Sequence, residues 1–132
     1  MEKTFLLFKM CSAMIFGFGL YLLGGWDCML ETLITLSLLD IVTGVIVACV
    51  QGTLSSKIAW AGFARKIGTY IIIAVAVKLD LLFGTNAMRG GAVGFFIGVE
   101  GISVIENWGN IGLPMPTQIR QVLAQLKEEN SE

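Results

Sequence analysis

The stretch MLETLITLSLLDIVTGVIVACV, Met29 to Val50, is almost continuously apolar, with one aspartate, Asp40, at its centre. At 1.5 Å per residue, a helix of about 20 residues is about 30 Å long, which matches the hydrocarbon core of a bilayer. The stretch therefore predicts a membrane-spanning helix. It also raises the question of what stabilises a carboxylate halfway along such a helix.

The composition of the whole chain points to the same solvent. Of 132 residues, 55% are hydrophobic and 14% are charged, whereas roughly a quarter of a soluble domain is charged. One domain of this size could not bury so much apolar side chain away from water. The formal net charge of −1 provides no basic field for nucleic acid, so we expect no nucleic-acid partner.

Residues that support enzyme or metal chemistry are missing from the sequence. It has no histidine, and its three cysteines form no CxxC pair. It also has no phosphate-binding glycine loop and no nucleophile elbow. We therefore predict no enzyme activity, no cofactor and no metal site, and we interpret Cys11, Cys28 and Cys49 as small buried apolar residues.

Three further apolar segments lie around the first one. The four segments are residues 5–24, 29–50, 67–83 and 91–108. They predict an all-α integral membrane bundle of about four transmembrane helices, or alternatively three. Because segments three and four are the shortest and the most polar, a re-entrant pair is the other arrangement left open there.

The linkers predict the topology. The first and last linkers are short, whereas QGTLSSKIAWAGFARK between segments two and three is longer and carries Lys57, Arg65 and Lys66 with no acidic residue. Positive charge in a short loop marks the cytoplasmic side of a membrane. We therefore predict a cytoplasmic basic loop and, with four spans, cytoplasmic N- and C-termini.

The chain changes character after Pro114 and Pro116. In the following segment, apolar residues recur at the spacing of one helix face, and proline favours a helix start at Pro116 or Thr117. The positions of this stripe are Ile119, Val122, Leu123 and Leu126. We predict a transmembrane domain over 1–113, followed over 114–132 by a short amphipathic cytoplasmic helix and a polar tail.

Three charged residues lie at the predicted membrane midplane: Asp40, Lys78 and Glu100. A charge at that depth costs about 2.5–3.5 kcal/mol and normally faces protein or water. We therefore predict that Lys78 pairs with Asp40 and Glu100, and that Glu106 reaches the inner interface. Two roles remain open: the charges only hold helices together, or they also gate an aqueous path.

Small residues recur at helical spacing in three spans, and in the first of them Ala13 and Gly17 stand four residues apart. One seam comprises Gly91, Gly94, Gly98 and Gly101, and a second contains Gly44 and Ala48. Such seams let helix backbones approach closely in lipid. They predict tight helix association, either within one chain or between chains.

Three motifs together resemble a known family. LLDIVTGVIVA (38–48), LSSKIAWAGFARK (54–66) and VEGISVIENWGNIGLPMP (99–116) are similar to the phage lysis and toxin-secretion holins of Gram-positive bacteria and their phages. The positions that match the family pattern are Asp40, Gly44, Lys57, Arg65, Lys66, Glu100, Ser103, Glu106, Asn107, Pro114 and Pro116.

This resemblance implies a non-enzymatic protein that forms homo-oligomers in the lipid of the bacterial cytoplasmic membrane. It implies timed lesions that release an endolysin or a toxin, and a possible antiholin partner. Family members usually have about three spans. A second translation start at Met10 would give a shorter form lacking Lys3 and Lys9, as some holins have.

Two other functions fit the membrane charges. A small ion- or proton-conducting channel or transporter subunit would also use intramembrane carboxylates and a lysine. A membrane anchor for a soluble partner would use the basic loop or the C-terminal helix. Lysis when the protein is expressed with an endolysin would separate the holin from both.

Overall fold

The computed structural model describes residues 1–129, apart from the side chains of residues 123 and 126–129. Every regular element in this described part is an α-helix, as predicted. The helices are α1 (Glu2–Leu22), α2 (Cys28–Gln51), α3 (Ser56–Phe83), α4 (Ala87–Asn110) and α5 (Thr117–Glu129).

Local sequence signals set the helix boundaries. The Asp27 carboxylate accepts a hydrogen bond from the backbone N–H of Leu30 at 2.8 Å, which satisfies one of the free amides at the start of α2. At the other end of α2, Gly52 adopts φ +66°, and Gly84 does the same after α3. Glycine takes this left-handed conformation without a side-chain penalty, so both helices stop there.

Helices α2 and α4 pack side by side in parallel. Gly94 lies beside Met29, and Asn107 lies beside Gly44, so residue numbers rise in the same direction along both helices. We call the end of the bundle where α2 and α4 begin the Asp27 end. The opposite end, where both helices finish, is the Gly52 end.

Helix α3 runs antiparallel to both. Lys66 contacts Asp40, whereas the later residue Tyr70 donates to the earlier residue Ser37 at 3.4 Å. The start of α3 therefore lies at the Gly52 end, and its last turn lies at the Asp27 end. By this route, α3 connects two parallel helices.

The apolar core lies between the middle of the bundle and the Asp27 end. Leu33, Ile73 and Val93 are fully buried against one another, one from each of α2, α3 and α4. Most other large apolar side chains point outward. This pattern is expected in lipid, where helices associate through close packing and polar contacts rather than through the hydrophobic effect.

Helix α1 stands apart from this core. None of its residues is buried within the chain, and large side chains such as Phe8, Ile15 and Phe16 are exposed along it. Cys11 on α1 is exposed, as are Cys28 and Cys49 on α2. The prediction that the cysteines are buried is therefore wrong for the single chain, because no residue of α1 is buried and because Cys28 and Cys49 lie on exposed faces of α2.

Three helices are long and apolar enough to cross a membrane: α1, α2 and α4. Helix α3 is not one of them, so the predicted fourth span is only partly supported. Helix α3 carries more charged residues than such a span allows; they are Lys57, Arg65, Lys66, Lys78 and Asp80. Helices α3 and α4 are each one continuous helix, and the alternative of a re-entrant pair stays a prediction.

The connection to α5 follows the two prolines. The Trp108 indole N–H donates to the Pro114 carbonyl at 3.2 Å, which closes the turn at the end of α4. Helix α5 begins at Thr117, as predicted. Two residues of the predicted apolar stripe, Ile119 and Val122, are exposed, while the side chains of Leu123 and Leu126 lie outside the described residues.

Candidate functional site: a polar network inside the helix bundle

Lys66 lies between two carboxylates at the centre of the bundle. Its ammonium group donates to Asp40 Oδ2 at 2.5 Å and also to Glu100 Oε2. Asp40 belongs to α2, Lys66 to α3 and Glu100 to α4. One ammonium group thus links three helices.

The other Asp40 oxygen accepts two hydrogen bonds from α4. Ser103 Oγ donates to Asp40 Oδ1 at 2.5 Å, and Asn107 Nδ2 donates to the same oxygen at 3.0 Å. Asn107 also donates to Thr43 Oγ1 at 3.0 Å. We call Asp40, Lys66, Glu100, Ser103 and Asn107 the central network.

The central network lies deep in the bundle. Glu100 is 5% exposed at its side chain, Lys66 15% and Asp40 16%. Asp40 lies about halfway along α2, or roughly 17 Å from each helix end. Among the described residues, every buried side-chain nitrogen or oxygen has a hydrogen-bond partner. The network is therefore internally satisfied.

The paired charges of the central network stabilise the packing of the three helices. As ionised groups, two carboxylates and one ammonium carry a formal charge of −1. Removing one partner from a buried pair typically costs about 3–5 kcal/mol, because the other charge is left uncompensated. The network thus stabilises one arrangement of α2, α3 and α4, and separating these helices in lipid would expose charged groups that require water.

The structure corrects the predicted partner of the two acids. It brings Asp40 and Glu100 together, but the cation between them is Lys66 rather than Lys78. Lys78 is exposed, and its ammonium group lies 4.4 Å from the centre of the Tyr21 ring. The prediction started the third helix at Ile67, which placed Lys78 at the membrane midplane. The helix starts at Ser56, so Lys66 lies at that level instead. Lys78 lies about 18 Å further along the helix.

The predicted basic loop is also corrected. Only residues 52–55 separate α2 from α3, and Lys57, Arg65 and Lys66 all lie on α3. Hydropathy did not predict the first turns of α3, since the charged residues there interrupt the apolar pattern. Ser55 directly before it is a residue that favours helix starts, and was the available signal.

The glycine seam of α4 is only partly filled within the chain. A side chain at Gly94 would meet Met29, whereas the space beside Gly91, Gly98 and Gly101 is open to at least 4 Å. Gly98 and Gly101 line a groove of about 410 Å³, together with Ile119 of α5. In the second seam, Gly44 faces the Asn107 side chain, and Ala48 is half-buried.

A second polar cluster, at the Asp27 end, was not predicted. The Arg89 guanidinium donates to Asp27 Oδ2 at 2.6 Å, to the Leu23 carbonyl at 2.7 Å and to the Gly25 carbonyl at 3.2 Å. We call these contacts the Arg89 clasp. They tie the start of α4 to the turn between α1 and α2, and the short linkers were the only sequence signal for them.

Two acidic residues support the clasp. The hydrogen bond from Arg89 holds the pKa of Asp27 below its ordinary value of 3.8, and the bond from the Leu30 amide acts in the same direction. Asp80, at the end of α3, accepts from the backbone amides of Met88 and Arg89 at 3.0 and 2.8 Å. It thereby caps the start of α4.

The remaining family-pattern residues lie towards the Gly52 end. Glu106 is exposed near the end of α4, and Pro114 and Pro116 form the turn that leads to α5. No group of three or more potential acidic, cysteine or histidine metal ligands occurs in the described residues.

Comparison with known proteins gives a consistent picture. The sequence model of the bacteriophage holin family matches residues 17–128. An uncharacterized protein of Halalkalibacterium halodurans is 34% identical, covering 95% of this chain and 97% of its own. An uncharacterized protein of Clostridium perfringens is 37% identical over 84% of each chain. No solved structure matches.

A further relative has a name that states a function. A "probable holin" of Bacillus phage phi105 is 34% identical over 78% of this chain and 77% of its own length. The family match covers most of the residues, including all of α2, α3 and α4. The chain is therefore a membrane protein that belongs to the bacteriophage holin family.

Proposed function

We propose that this protein is a holin that assembles into homo-oligomers in the bacterial cytoplasmic membrane and opens timed lesions through which an endolysin or a toxin leaves the cell. Family membership supports the holin role. The observation that carries the mechanism is the central network, in which Lys66 joins two carboxylates of neighbouring helices inside an otherwise apolar bundle.

The closed form of this mechanism is the single bundle. In it, the charged groups of the central network face one another, and lipid contacts the apolar outer faces of the helices. All four long helices cross the membrane, because α3 connects the ends of two parallel helices. Lys66 needs no solvent there, since its charge is compensated by Asp40 and Glu100.

The lesion forms when bundles rearrange into an oligomer. The open glycine positions Gly91, Gly98 and Gly101 provide a surface where another helix backbone can approach closely. Separating α2, α3 and α4 would expose the central network to the water-filled centre of the oligomer, where water solvates its charges. In this mechanism the central network holds α2, α3 and α4 together in the closed form. In the open form it lines the aqueous path of the lesion.

The arrangement of the chain in the membrane follows from its charges. Lys57 lies at the Gly52 end, and the Arg65 side chain turns towards that end because its Nε donates to the Ala61 carbonyl. We assign this end to the cytoplasm because of the positive-inside rule. Four spans then place both termini, and α5 with its tail over 114–132, on the cytoplasmic side. Residues 1–113 form the transmembrane domain.

The test is induced expression in a bacterium that also makes a cytoplasmic endolysin, with membrane potential and optical density recorded together. The proposal expects sudden depolarisation followed by lysis at a time set by expression level. Lys66→Met should change that time strongly, because it leaves two carboxylates unpaired. Lys78→Met is the matched control on the same helix, and should leave the time close to that of the parent protein.

A second function is a narrow ion channel, which buried membrane charges also favour. In that case the same cells would depolarise gradually, and the endolysin would stay inside. If expression changed neither potential nor optical density, the chain would be a membrane anchor rather than a holin. Equal effects of the two lysine variants would contradict the role of the central network.

A further inference from the structure

The first ten residues of α3 extend beyond the packed part of the bundle. From Ser56 to Arg65 every residue is exposed except for half-buried Gly62. This segment includes large apolar groups that contact no core: Ile58 is 59% exposed, Trp60 69% and Phe63 50%. The rings of Trp60 and Phe63 pack on each other, with centroids 5.8 Å apart.

The charge of this segment has one sign. Lys57 and Arg65 are exposed, and the ion pairs among the described residues include neither of them. Between Asp40 and Asp80 the sequence contains no acidic residue. Lys66 is the exception among the nearby cations, because the central network already uses its charge.

The level of the segment along the bundle identifies its surroundings. Ser56 lies ten residues before Lys66, or about 15 Å along α3 towards the Gly52 end. Asp40, at the level of Lys66, lies eleven residues before the last residue of α2, about the same distance from that end. The start of α3 is therefore level with the ends of the membrane-spanning helices, where lipid headgroups lie.

We propose that the segment Ser56–Arg65 binds anionic phospholipid headgroups of the leaflet at the Gly52 end. Trp60 enters the boundary between headgroups and acyl chains, where aromatic rings are favoured, and Phe63 lies deeper, among the acyl chains. Lys57 contacts the lipid phosphates. Arg65 lies deeper, and its Nε donates to the Ala61 carbonyl one turn nearer the Gly52 end, so its guanidinium extends towards the same headgroups. Each cation near an anionic membrane surface strengthens binding on the order of five-fold. The inference depends on the transmembrane arrangement proposed above, and not on lesion formation.

The experiment measures which lipids surround Trp60. Full-length protein carrying Trp26→Phe and Trp108→Phe keeps Trp60 as its one tryptophan. It is reconstituted into vesicles of phosphatidylcholine and phosphatidylglycerol that contain a trace of either dansyl-phosphatidylglycerol or dansyl-phosphatidylcholine. Energy transfer from Trp60 then reports local enrichment of each lipid. The expected result is a several-fold enrichment of the anionic probe over the neutral one.

Two pairs of variants separate a local site from general charge. Lys57→Gln with Arg65→Gln should abolish the enrichment, whereas Lys3→Gln with Arg120→Gln removes the same charge elsewhere and should preserve it. Equal transfer to both probes in the starting protein would overturn the proposal, and so would an equal loss in both variant pairs. Circular dichroism confirms that each variant keeps its helices.

This result is independent of the lysis assay. A protein that enriches anionic lipid around Trp60 but never releases endolysin would retain the lipid surface and lose the holin mechanism. A protein that lyses cells at the expected time but shows no lipid enrichment would retain the holin mechanism and lose the lipid surface. The two proposals can therefore fail separately.

Discussion

The central network and the Arg89 clasp use similar side chains in different surroundings. In the network, Lys66 contacts two carboxylates that are at most 16% exposed at their side chains. In the clasp, Arg89 contacts one carboxylate, Asp27, that is 43% exposed. Water can replace a lost partner in the clasp but has little access to the network. The same kind of ion pair should therefore be worth much more at the centre of the bundle than at its end.

The largest expected effect comes from removing the central cation. Lys66→Met leaves Asp40 and Glu100 facing each other without compensation, and should destabilise the bundle by about 3–5 kcal/mol. Unfolding of purified protein in mixed micelles, followed by circular dichroism, measures this change. Lys78→Met is the control: its ammonium group lies over Tyr21 on the surface, and its loss should cost less than about 1 kcal/mol. Similar losses in both variants would contradict the comparison.

The positions of the two lysines also show what the sequence could and could not predict. The membrane setting, α1, α2, α4 and the start of α5 follow from hydropathy and the prolines, which act locally. The meeting of Asp40 and Glu100 follows from their equal depth. The pairing of Lys66 was missed because the helix that carries it begins eleven residues before the apolar run, in a segment that hydropathy alone assigns to a loop.

The Arg89 clasp shows a different limit. Asp27, Arg89 and Asp80 stand in or beside short linkers, and nothing in their spacing indicates that they meet. Their contacts depend on α3 bringing α4 back to the turn between α1 and α2. Such contacts arise from tertiary packing, so periodicity and hydropathy contain no signal for them.

The next largest expected effect is the loss of a single hydrogen bond in the central network, compared with the loss of one on an exposed helix. Ser103→Ala removes one of two hydrogen bonds to Asp40 Oδ1, and should cost about 1–3 kcal/mol because the acceptor is charged and has little access to water. Ser12→Ala is the control, since its hydroxyl bonds to the Phe8 carbonyl on exposed α1 and its removal should be close to neutral. The same micelle unfolding assay compares the two. A larger loss at Ser12 would contradict the role of Ser103.

A pair of adjacent glycines tests the geometry of the clasp. Gly24 and Gly25 have φ of +82° and +92°, so alanine is strained at both positions. A Cβ at Gly24 would also lie 2.6 Å from Arg89 Nε, whereas one at Gly25 would have no described atom within 4 Å beyond those of its chain neighbours. Gly24→Ala should therefore be more destabilising than Gly25→Ala, by about 1 kcal/mol. Equal thermal midpoints would show that the Arg89 side chain does not occupy this site.

The smallest effect is the pH dependence of the clasp. Arg89 lowers the pKa of Asp27 in the folded state from the ordinary 3.8. The stabilisation is therefore fully present above about pH 4 and is lost as the pH falls through the lowered pKa. Thermal unfolding between pH 6 and pH 2.5 should show a small drop at the acid end that Asp27→Asn reduces. An unchanged drop in that variant would assign it to other carboxylates.

The most direct test of the central claim is a double-mutant cycle between Glu100 and each lysine of α3, measured as unfolding free energy in mixed micelles. The account predicts a coupling of about 1–3 kcal/mol between Glu100→Gln and Lys66→Met. It predicts a coupling near zero between Glu100→Gln and Lys78→Met. A coupling that is larger with Lys78 than with Lys66 would contradict the account, because the ammonium group at the centre of the bundle would then belong to the other lysine.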